Sequence, residues 1–243
     1  MSQQETVHLI AHTHWDREWF LPFQGFRIRL VHLVDRLLEI LAADPGFTHF
    51  MLDGQTIVVD DYLEVRPGRR AEIAAHVASG RLLVGPWTIL PDEFLVSPEA
   101  LVRNLAHGAR AARALGGRMD VGYVPDPFGH VGQLPQILRG FGIDAACFRR
   151  GLGDEPCELQ WDAPDGSRVL VAYLRRALAS RESALPVVRG ELRDPRRHHL
   201  LPGVLSSRVW IKLRNDACER LLERWVEPFV AWAEPSQRLG GSS

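Results

Sequence analysis

The chain has 243 residues, of which 46% are hydrophobic and 24% are charged, and its 29 Lys and Arg residues nearly balance its 30 Asp and Glu residues for a formal net charge of −1. Such a composition is typical of a globular protein with a sizeable core, and it gives no electrostatic reason to expect nucleic acid or a membrane surface as a partner. With no apolar run of about 18 residues, no signal-peptide pattern and three cysteines at no metal-ligand spacing, we expect a cytoplasmic protein without a transmembrane helix.

The first half of the chain predicts strands and helices in alternation. Short apolar runs bounded by turn residues predict strands, and apolar residues that recur at helical spacing predict the helices between them. The helix stop Asp44-Pro45-Gly46 and the Ser97-Pro98 helix start mark two of the boundaries. The predicted elements, in chain order, are a strand at 6–11, a helix at 26–43, a strand at 48–52, helices at 56–65 and 69–78, a strand at 81–84 and a helix at 97–115.

The same alternation continues into the second half of the chain. It predicts a strand at 119–124, a helix near 133–139, a strand at 145–148 and a hairpin of two strands at 159–162 and 169–174. Alternating strands and helices predict an α/β fold with a mostly parallel sheet and helices outside it. In such folds the functional site lies where the strands end and the loops begin.

Beyond the hairpin, the pattern changes to a single helical one. Residues 174–183 show no clear strand or helix pattern, whereas residues 215–233 carry apolar residues at helical spacing, with Pro228 as a predicted kink. Trp225 and Trp232 lie within this second segment, and one amphipathic helix cannot bury both. We therefore expect this end of the chain to begin a helical bundle.

Three side chains at predicted strand ends have the chemistry of metal ligands. His14 and Asp16 are two residues apart, so in an extended segment their side chains point to the same side. Asp126 follows another strand and is held extended because Pro127 comes next. One imidazole and two carboxylates suit zinc or a similar divalent ion and leave coordination positions open, as in catalytic sites. The alternative is a set of surface loop residues, and the third candidate at a parallel strand end favours the metal site.

Aromatic and acidic residues accompany these candidates near the same loops. Aromatic rings in a site stack on the apolar faces of sugars, although most tryptophans simply belong to a core or its rim. The aromatic residues are Trp15, Trp19, Trp87, Phe128 and Trp161. The acidic residues Asp53, Asp92 and Glu93 also follow strands, where they either bind hydroxyls, act as acid or base, or have a structural role.

Taken together, these motifs resemble glycoside hydrolase family 38, the class II α-mannosidases. The bacterial branch, which includes mannosylglycerate hydrolases, is nearer to this sequence than the Golgi or lysosomal enzymes. The stretches that carry the resemblance are His12-Thr13-His14-Trp15-Asp16-Arg17-Glu18-Trp19, Leu52-Asp53-Gly54-Gln55, Gly85-Pro86-Trp87 with Pro91-Asp92-Glu93, Val124-Pro125-Asp126-Pro127-Phe128-Gly129-His130, and Gly203-Val204-Leu205-Ser206-Ser207-Arg208.

The resemblance implies a seven-stranded β/α barrel-like catalytic domain followed by the start of a helical bundle. Residues 1–203 would form the catalytic domain and residues 204–238 the first part of the helical domain. The barrel is expected to be incomplete, because a family segment is deleted near residues 174–186. A histidine that the family carries later in the helical region has no counterpart, so the chain is similar to a C-terminally truncated member.

The resemblance also implies the roles of particular residues. His14, Asp16 and Asp126 would bind one Zn2+, and Asp126 would be the nucleophile of a retaining mechanism on α-mannosides. Substrate would be bound by four residues, namely Trp19, Asp53, Phe128 and Arg150. The nearest candidate for the general acid is Asp194.

Two alternatives to a zinc-dependent α-mannosidase stay open on the sequence alone. One is a non-catalytic remnant of such an enzyme, which keeps part of the fold and binds metal or sugar weakly. The other is a metal-dependent carbohydrate deacetylase-like enzyme, since incomplete barrels with His and Asp metal sites perform that reaction. The Asp126-Pro127-Phe128-Gly129-His130 motif favours the mannosidase over the deacetylase.

Overall fold

The computed structural model describes residues 11–153, 155–156 and 158–173, and these form a mixed α/β fold. The α/β class predicted from the sequence is thereby confirmed. The elements are β1 (Ala11–Thr13), α1 (Phe23–Ala43), β2 (Phe50–Leu52), α2 (Ile57–Val65), a 3-10 turn (Pro67–Arg69), α3 (Arg70–Ala78), β3 (Leu82–Leu83), α4 (Pro98–Ala114), β4 (Gly122–Val124), α5 (Leu134–Gly140), β5 (Ala145–Phe148), β6 (Glu158–Asp162) and β7 (Arg168–Tyr173).

The observed boundaries differ from the predicted ones by a few residues, mainly at the strands. β1 continues to Thr13, two residues beyond the predicted end, because Thr13 pairs with Leu52 of β2. Its middle residue His12 is exposed between buried Ala11 and Thr13, and residues 6–10 of the predicted strand lie outside the described residues. β2 begins at Phe50, and α1 begins three residues earlier than predicted, directly after Pro22. The ends of a strand depend on which residues pair with a neighbouring strand, and the sequence pattern alone does not show this pairing.

The strands form two sheets. In the first, β1, β2 and β3 lie in that order and are parallel. The second has the order β4-β5-β7-β6, in which β6 alone is antiparallel to its neighbour. The hairpin predicted across Pro164-Asp165-Gly166 is β6 and β7, and that prediction is confirmed.

A closed seven-stranded barrel is not present among the described residues. The sheets meet between β3 and β4, where the backbone N–H of Met119 donates to the carbonyl of Val84 at 3.0 Å, but no strand ladder joins them there. The short β3, with only two residues, leaves little backbone for such a ladder. The expected helical bundle at 204–238, the expected deletion near 174–186 and the general-acid candidate Asp194 all lie outside the described residues.

Helices pack against the outer side of each sheet and form an apolar cluster with it. A third apolar cluster contains residues of both sheets. In β2, Phe50 and Leu52 face the cluster that contains the buried side of α1, whereas Met51 faces the shared cluster. This division follows from the alternation of side chains along a strand. The shared cluster also contains Tyr123 of β4 and Cys147 of β5. It keeps the two sheets together without a strand ladder between them. None of the described helices is both long and apolar enough to cross a lipid bilayer.

Helix α4 holds the long loop that follows β3. Asn104 accepts hydrogen bonds from the backbone N–H groups of Thr88 and Ile89 at 2.9 and 3.1 Å, and it donates to the carbonyl of Ile89 at 2.7 Å. One turn further along, Gly108 lies so close to the loop that a Cβ atom there would be 2.1 Å from the carbonyl carbon of Trp87. This helix therefore needs glycine at position 108 for the loop to approach it.

The substitution Gly108→Ala is expected to lower the free energy of unfolding by about 3 kcal/mol, because the added methyl group overlaps backbone that cannot move independently. Urea denaturation of the purified chain measures the change. The matched control is Gly140→Ala in α5, where no atom lies within 4 Å of the added Cβ. The control should gain about 0.5 kcal/mol from the better helix propensity of alanine. Equal unfolding midpoints for the two variants would contradict the close approach.

Candidate active site at the strand ends

Polar side chains from four strand ends meet at one edge of the fold. His14 follows β1, Asp53 follows β2, Asp126 follows β4 and Arg150 follows β5. His14 Nδ1 lies 3.2 Å from Asp53 Oδ1, His14 Nε2 lies 3.8 Å from Asp126 Oδ2, and Arg150 Nε lies 2.5 Å from Asp126 Oδ1. The carboxyl ends of parallel strands lie at the same edge of a sheet, and this brings together residues that are far apart in sequence.

Asp53 lies beneath His14, completely buried. Its Oδ2 accepts a hydrogen bond from the backbone N–H of Trp15 at 2.7 Å and one from the Gln55 amide at 3.0 Å. The Gln55 amide also donates to the carbonyl of Trp15 at 2.8 Å, so the β1 and β2 loops are joined. Asp53 has a positive φ of 49°, a conformation that aspartate tolerates better than most residues. The structure thus places Asp53 in contact with His14 and with backbone rather than at an open surface.

The outer nitrogen of His14 faces two carboxylates. Nε2 is 3.7 Å from Asp16 Oδ1 and 3.8 Å from Asp126 Oδ2, and it is buried without a hydrogen-bond partner. Burial lowers the pKa of His14, but the hydrogen bond and charge of Asp53 with the charges of Asp16 and Asp126 outweigh it and raise that pKa to about 9. The surroundings of Nε2 therefore favour a positive charge.

The donor atoms stand somewhat further apart than in a formed metal centre. Zinc bonds of about 2.0–2.2 Å in a tetrahedron place nitrogen and oxygen donors about 3.3–3.5 Å apart, compared with the 3.7 and 3.8 Å around His14 Nε2. Within the described ranges, no group of three His, Cys, Asp or Glu side chains has the arrangement of a metal site. Both carboxylates would have to approach His14 Nε2 more closely to share an ion with it.

Asp126 lies between His14 and two arginines. Arg150 Nε is 2.5 Å and Arg149 Nη1 is 3.7 Å from the same carboxylate oxygen, Oδ1. The Asp126 side chain keeps 34% of its surface exposed, so a substrate can reach it. The guanidinium of Arg150 also lies 5.3 Å from the centre of the Phe128 ring, which is itself 77% exposed. The arginines contact Oδ1, which is buried and accepts no hydrogen bond, as ion pairs, while Oδ2 faces His14.

The aromatic residues near these loops separate into exposed and buried groups. Trp19 is 75% exposed, and its ring contacts Phe20 at 5.4 Å between centroids. Trp15 and Trp87 are buried, and Trp87 donates its indole N–H to the carbonyl of Tyr123 at 3.1 Å. Trp19, with the exposed Phe128, therefore remains available to a ligand, whereas Trp15 and Trp87 belong to the core.

Several contacts of this site were not predicted from the sequence, which left the role of Glu93 open and gave none to Arg149, Gln55 or His130. Arg149 approaches Asp126, Gln55 supports Asp53, and Glu93 forms a buried contact with His130 at 2.8 Å. Gln55, Glu93 and His130 all belong to the motifs that carry the family resemblance, and that membership was the available signal. For Arg149, the only signal in the sequence was its position after β5.

The family model, the curated relatives and two solved structures point to one family. Residues 4–189 match the family model described as Glycosyl hydrolases family 38 N-terminal domain. A putative mannosylglycerate hydrolase of Halalkalibacterium halodurans is 46% identical over 69% of this chain and 20% of its own length. Human Alpha-mannosidase 2C1 is 29% identical over 70% of this chain and 17% of its own length. The crystal structure of an alpha-mannosidase from Enterococcus faecalis superposes with a TM-score of 0.69 at 36% identity, covering 78% of this chain and 23% of that one. The chain spans about a fifth of the length of the curated relatives it matches.

Replacement of Asp53 by alanine is expected to lower the free energy of unfolding by about 3 kcal/mol, since it leaves the buried Trp15 N–H without its acceptor and removes one of the two acceptors of the Gln55 amide. Chemical denaturation followed by tryptophan fluorescence measures the loss. Asp16→Ala is the matched control, because the Asp16 side chain is 46% exposed. The control should change stability by less than about 0.5 kcal/mol. A similar loss in both variants would show that burial of Asp53 is not what stabilises the loops.

Proposed function

Because the chain belongs to glycosyl hydrolase family 38, we propose that it carries the catalytic carboxylate and metal ligands of a zinc-dependent α-mannosidase that retains anomeric configuration. The observation that carries this proposal is the position of Asp126, a partly exposed carboxylate between His14 and Arg150 at the strand ends. The relatives named as mannosidases support α-mannosides as the substrate class. We also propose residues 1–203 as the barrel-like catalytic domain and residues 204–238 as the start of the helical domain.

The residues at the strand ends fit a zinc ion in their chemistry. His14 offers a buried Nε2 without a hydrogen-bond partner, and Asp16 and Asp126 each present an oxygen toward it. Asp53 holds the other ring nitrogen, as carboxylates commonly do for metal-binding histidines. His14, Asp16 and Asp126 would hold the ion. When bound, zinc would neutralise part of the carboxylate charge and bind hydroxyl groups of the sugar.

Asp126 is proposed as the nucleophile. An oxygen of its carboxylate forms a bond to the anomeric carbon of the mannoside as the bond from that carbon to the leaving oxygen breaks. Arg150, in contact with Oδ1, orients the carboxylate for attack. Water then attacks the same carbon, releases Asp126 as a carboxylate and gives mannose with the original configuration.

The remaining parts of the reaction are a proton for the leaving oxygen and a surface for the sugar. Asp194 is the proposed general acid, and it would protonate the leaving oxygen and later accept a proton from the attacking water. Trp19 and Phe128 are exposed on the loops after β1 and β4, and we propose that their rings pack against the sugar.

Zinc binding is tested by isothermal titration calorimetry of the metal-free chain with Asp53→Asn. The substitution keeps the size of the side chain but presents an amide N–H to His14 Nδ1, so the ring proton moves to Nε2 and blocks the proposed donor atom. We expect a loss of zinc affinity of about 10- to 100-fold. Asp144→Asn, at a side chain that is 67% exposed, is the control and should bind as the parent does. Unchanged affinity in Asp53→Asn would remove His14 from the ligand set.

Catalysis is tested with a nitrophenyl α-mannoside and the zinc-loaded chain. The activated leaving group needs little protonation, so turnover should not depend strongly on Asp194. Asp126→Ala should lower kcat by at least about 10⁴-fold, since it removes the nucleophile, whereas Asp144→Ala should leave kcat unchanged. NMR of the first product should show the α-anomer.

Two outcomes of this assay would contradict the proposed function. Activity that survives Asp126→Ala would remove the assignment of Asp126 as nucleophile. No turnover by a folded, zinc-bound chain would favour the non-catalytic alternative.

A further inference from the structure

Glu93 and His130 form a buried pair that the proposed reaction does not use. Glu93 is 1% exposed, and the His130 side chain is 5% exposed. Glu93 Oε1 lies 2.8 Å from His130 Nδ1, and Oε2 accepts the backbone N–H of Val131 at 2.8 Å. The other ring nitrogen of His130, Nε2, lies 2.8 Å from the carbonyl oxygen of Arg150. All four polar atoms of the two side chains are therefore engaged.

The contacts determine where the protons of the pair lie. The carbonyl oxygen of Arg150 can only accept a hydrogen bond, so Nε2 of His130 must carry hydrogen. The contact between Nδ1 and Glu93 Oε1 then holds one more proton, and the pair as a whole is neutral. A neutral, fully hydrogen-bonded pair avoids the large cost of an isolated buried charge. Because both of its oxygens are occupied and buried, Glu93 is not available to bind a sugar hydroxyl.

Packing fixes the ring of His130 in its place. Its centroid lies 4.1 Å from that of Phe148 and 5.5 Å from that of Trp161. Gly151 has a φ of 97°, and a Cβ atom there would be 2.5 Å from Cδ2 of the histidine ring. The ring therefore cannot shift without moving the Arg150–Gly151 backbone.

We propose that Glu93 and His130 are positioning residues that hold Arg150 against Asp126. The pair joins the loops after β3, β4 and β5, and it anchors Arg150 at its carbonyl while the guanidinium contacts Asp126 Oδ1 at 2.5 Å. The inference rests on the proposed function only in that Asp126 is the reacting carboxylate. The contacts of the Glu93–His130 pair do not depend on whether the chain turns over a substrate.

Three substitutions separate the hydrogen bonds of the pair. His130→Asn retains an amide near Nδ1 for Glu93 but has no atom near Nε2, so it releases the Arg150 carbonyl. His130→Gln has the opposite effect, because its amide reaches the position of Nε2. In Glu93→Gln, the amide donates to Nδ1 and its oxygen still accepts from Val131, so the hydrogen bond to Arg150 persists.

The readout is the Nε–Hε signal of Arg150 in the ¹⁵N-labelled full chain, assigned by its absence in Arg150→Lys. We expect solvent exchange of this proton to be at least about tenfold faster in His130→Asn than in the parent. In His130→Gln and Glu93→Gln the rate should stay within about twofold of the parent. A parent-like rate in His130→Asn overturns the proposal, and so does an equal acceleration in all three variants. If His130→Asn does not fold, accelerated exchange in folded His130→Gln would still overturn the proposal, and a parent-like rate there would support it.

Turnover of the nitrophenyl α-mannoside gives a second, separate readout. His130→Asn should lower kcat about tenfold with little change in KM, and it should cause no further loss in an Arg150→Lys background. Additive losses would contradict action through Arg150. A chain without any mannosidase activity would defeat the proposed function, whereas the exchange measurement would still decide the role of the pair.

Discussion

The site depends on one buried carboxylate, that of Asp53. It accepts hydrogen bonds from the backbone of Trp15, from the Gln55 amide and from the ring of His14, so it joins the loops after β1 and β2. A carboxylate without water is stable only where donors surround it, and here two of the three donors, His14 and Trp15, belong to the segment that carries the proposed ligands His14 and Asp16. The geometry of His14 and the stability of the first sheet's edge therefore have the same physical origin.

From this carboxylate, contacts extend across both sheets. His14 faces Asp126, Asp126 contacts Arg150, and the backbone of Arg150 accepts from His130, which is paired with Glu93. Buried and exposed groups have different roles along this series. The buried members fix positions because their hydrogen bonds cannot be exchanged for water at low cost, whereas Asp126 keeps a third of its side-chain surface exposed and accessible to substrate.

The two sheets cooperate without forming one ladder. Met51 of the first sheet and Tyr123 and Cys147 of the second contribute to the same apolar cluster, and single contacts such as Met119 with Val84 connect the backbones. Apolar packing is non-directional, so it holds the two sheets together without fixing a hydrogen-bond register between their strands. The site at their common edge is consequently assembled from both sheets by side-chain contacts.

The sequence by itself determined the α/β class, the order of the elements and the stretches that carry the site, because apolar periodicity and strand-end motifs are local properties of the chain. It also singled out His14 and Asp126, which the fold brings within 3.8 Å of each other. Only the tertiary structure decided that the described strands form two sheets, that Asp53 is buried beneath His14, and that Glu93 pairs with His130. The contacts of Asp53 with His14 and of Glu93 with His130 join residues more than 35 positions apart, and most of the strand pairings join residues more than 20 apart. Local pattern does not specify such contacts, since an acidic residue after a strand has the same sequence signature whether it ends in water or among buried donors.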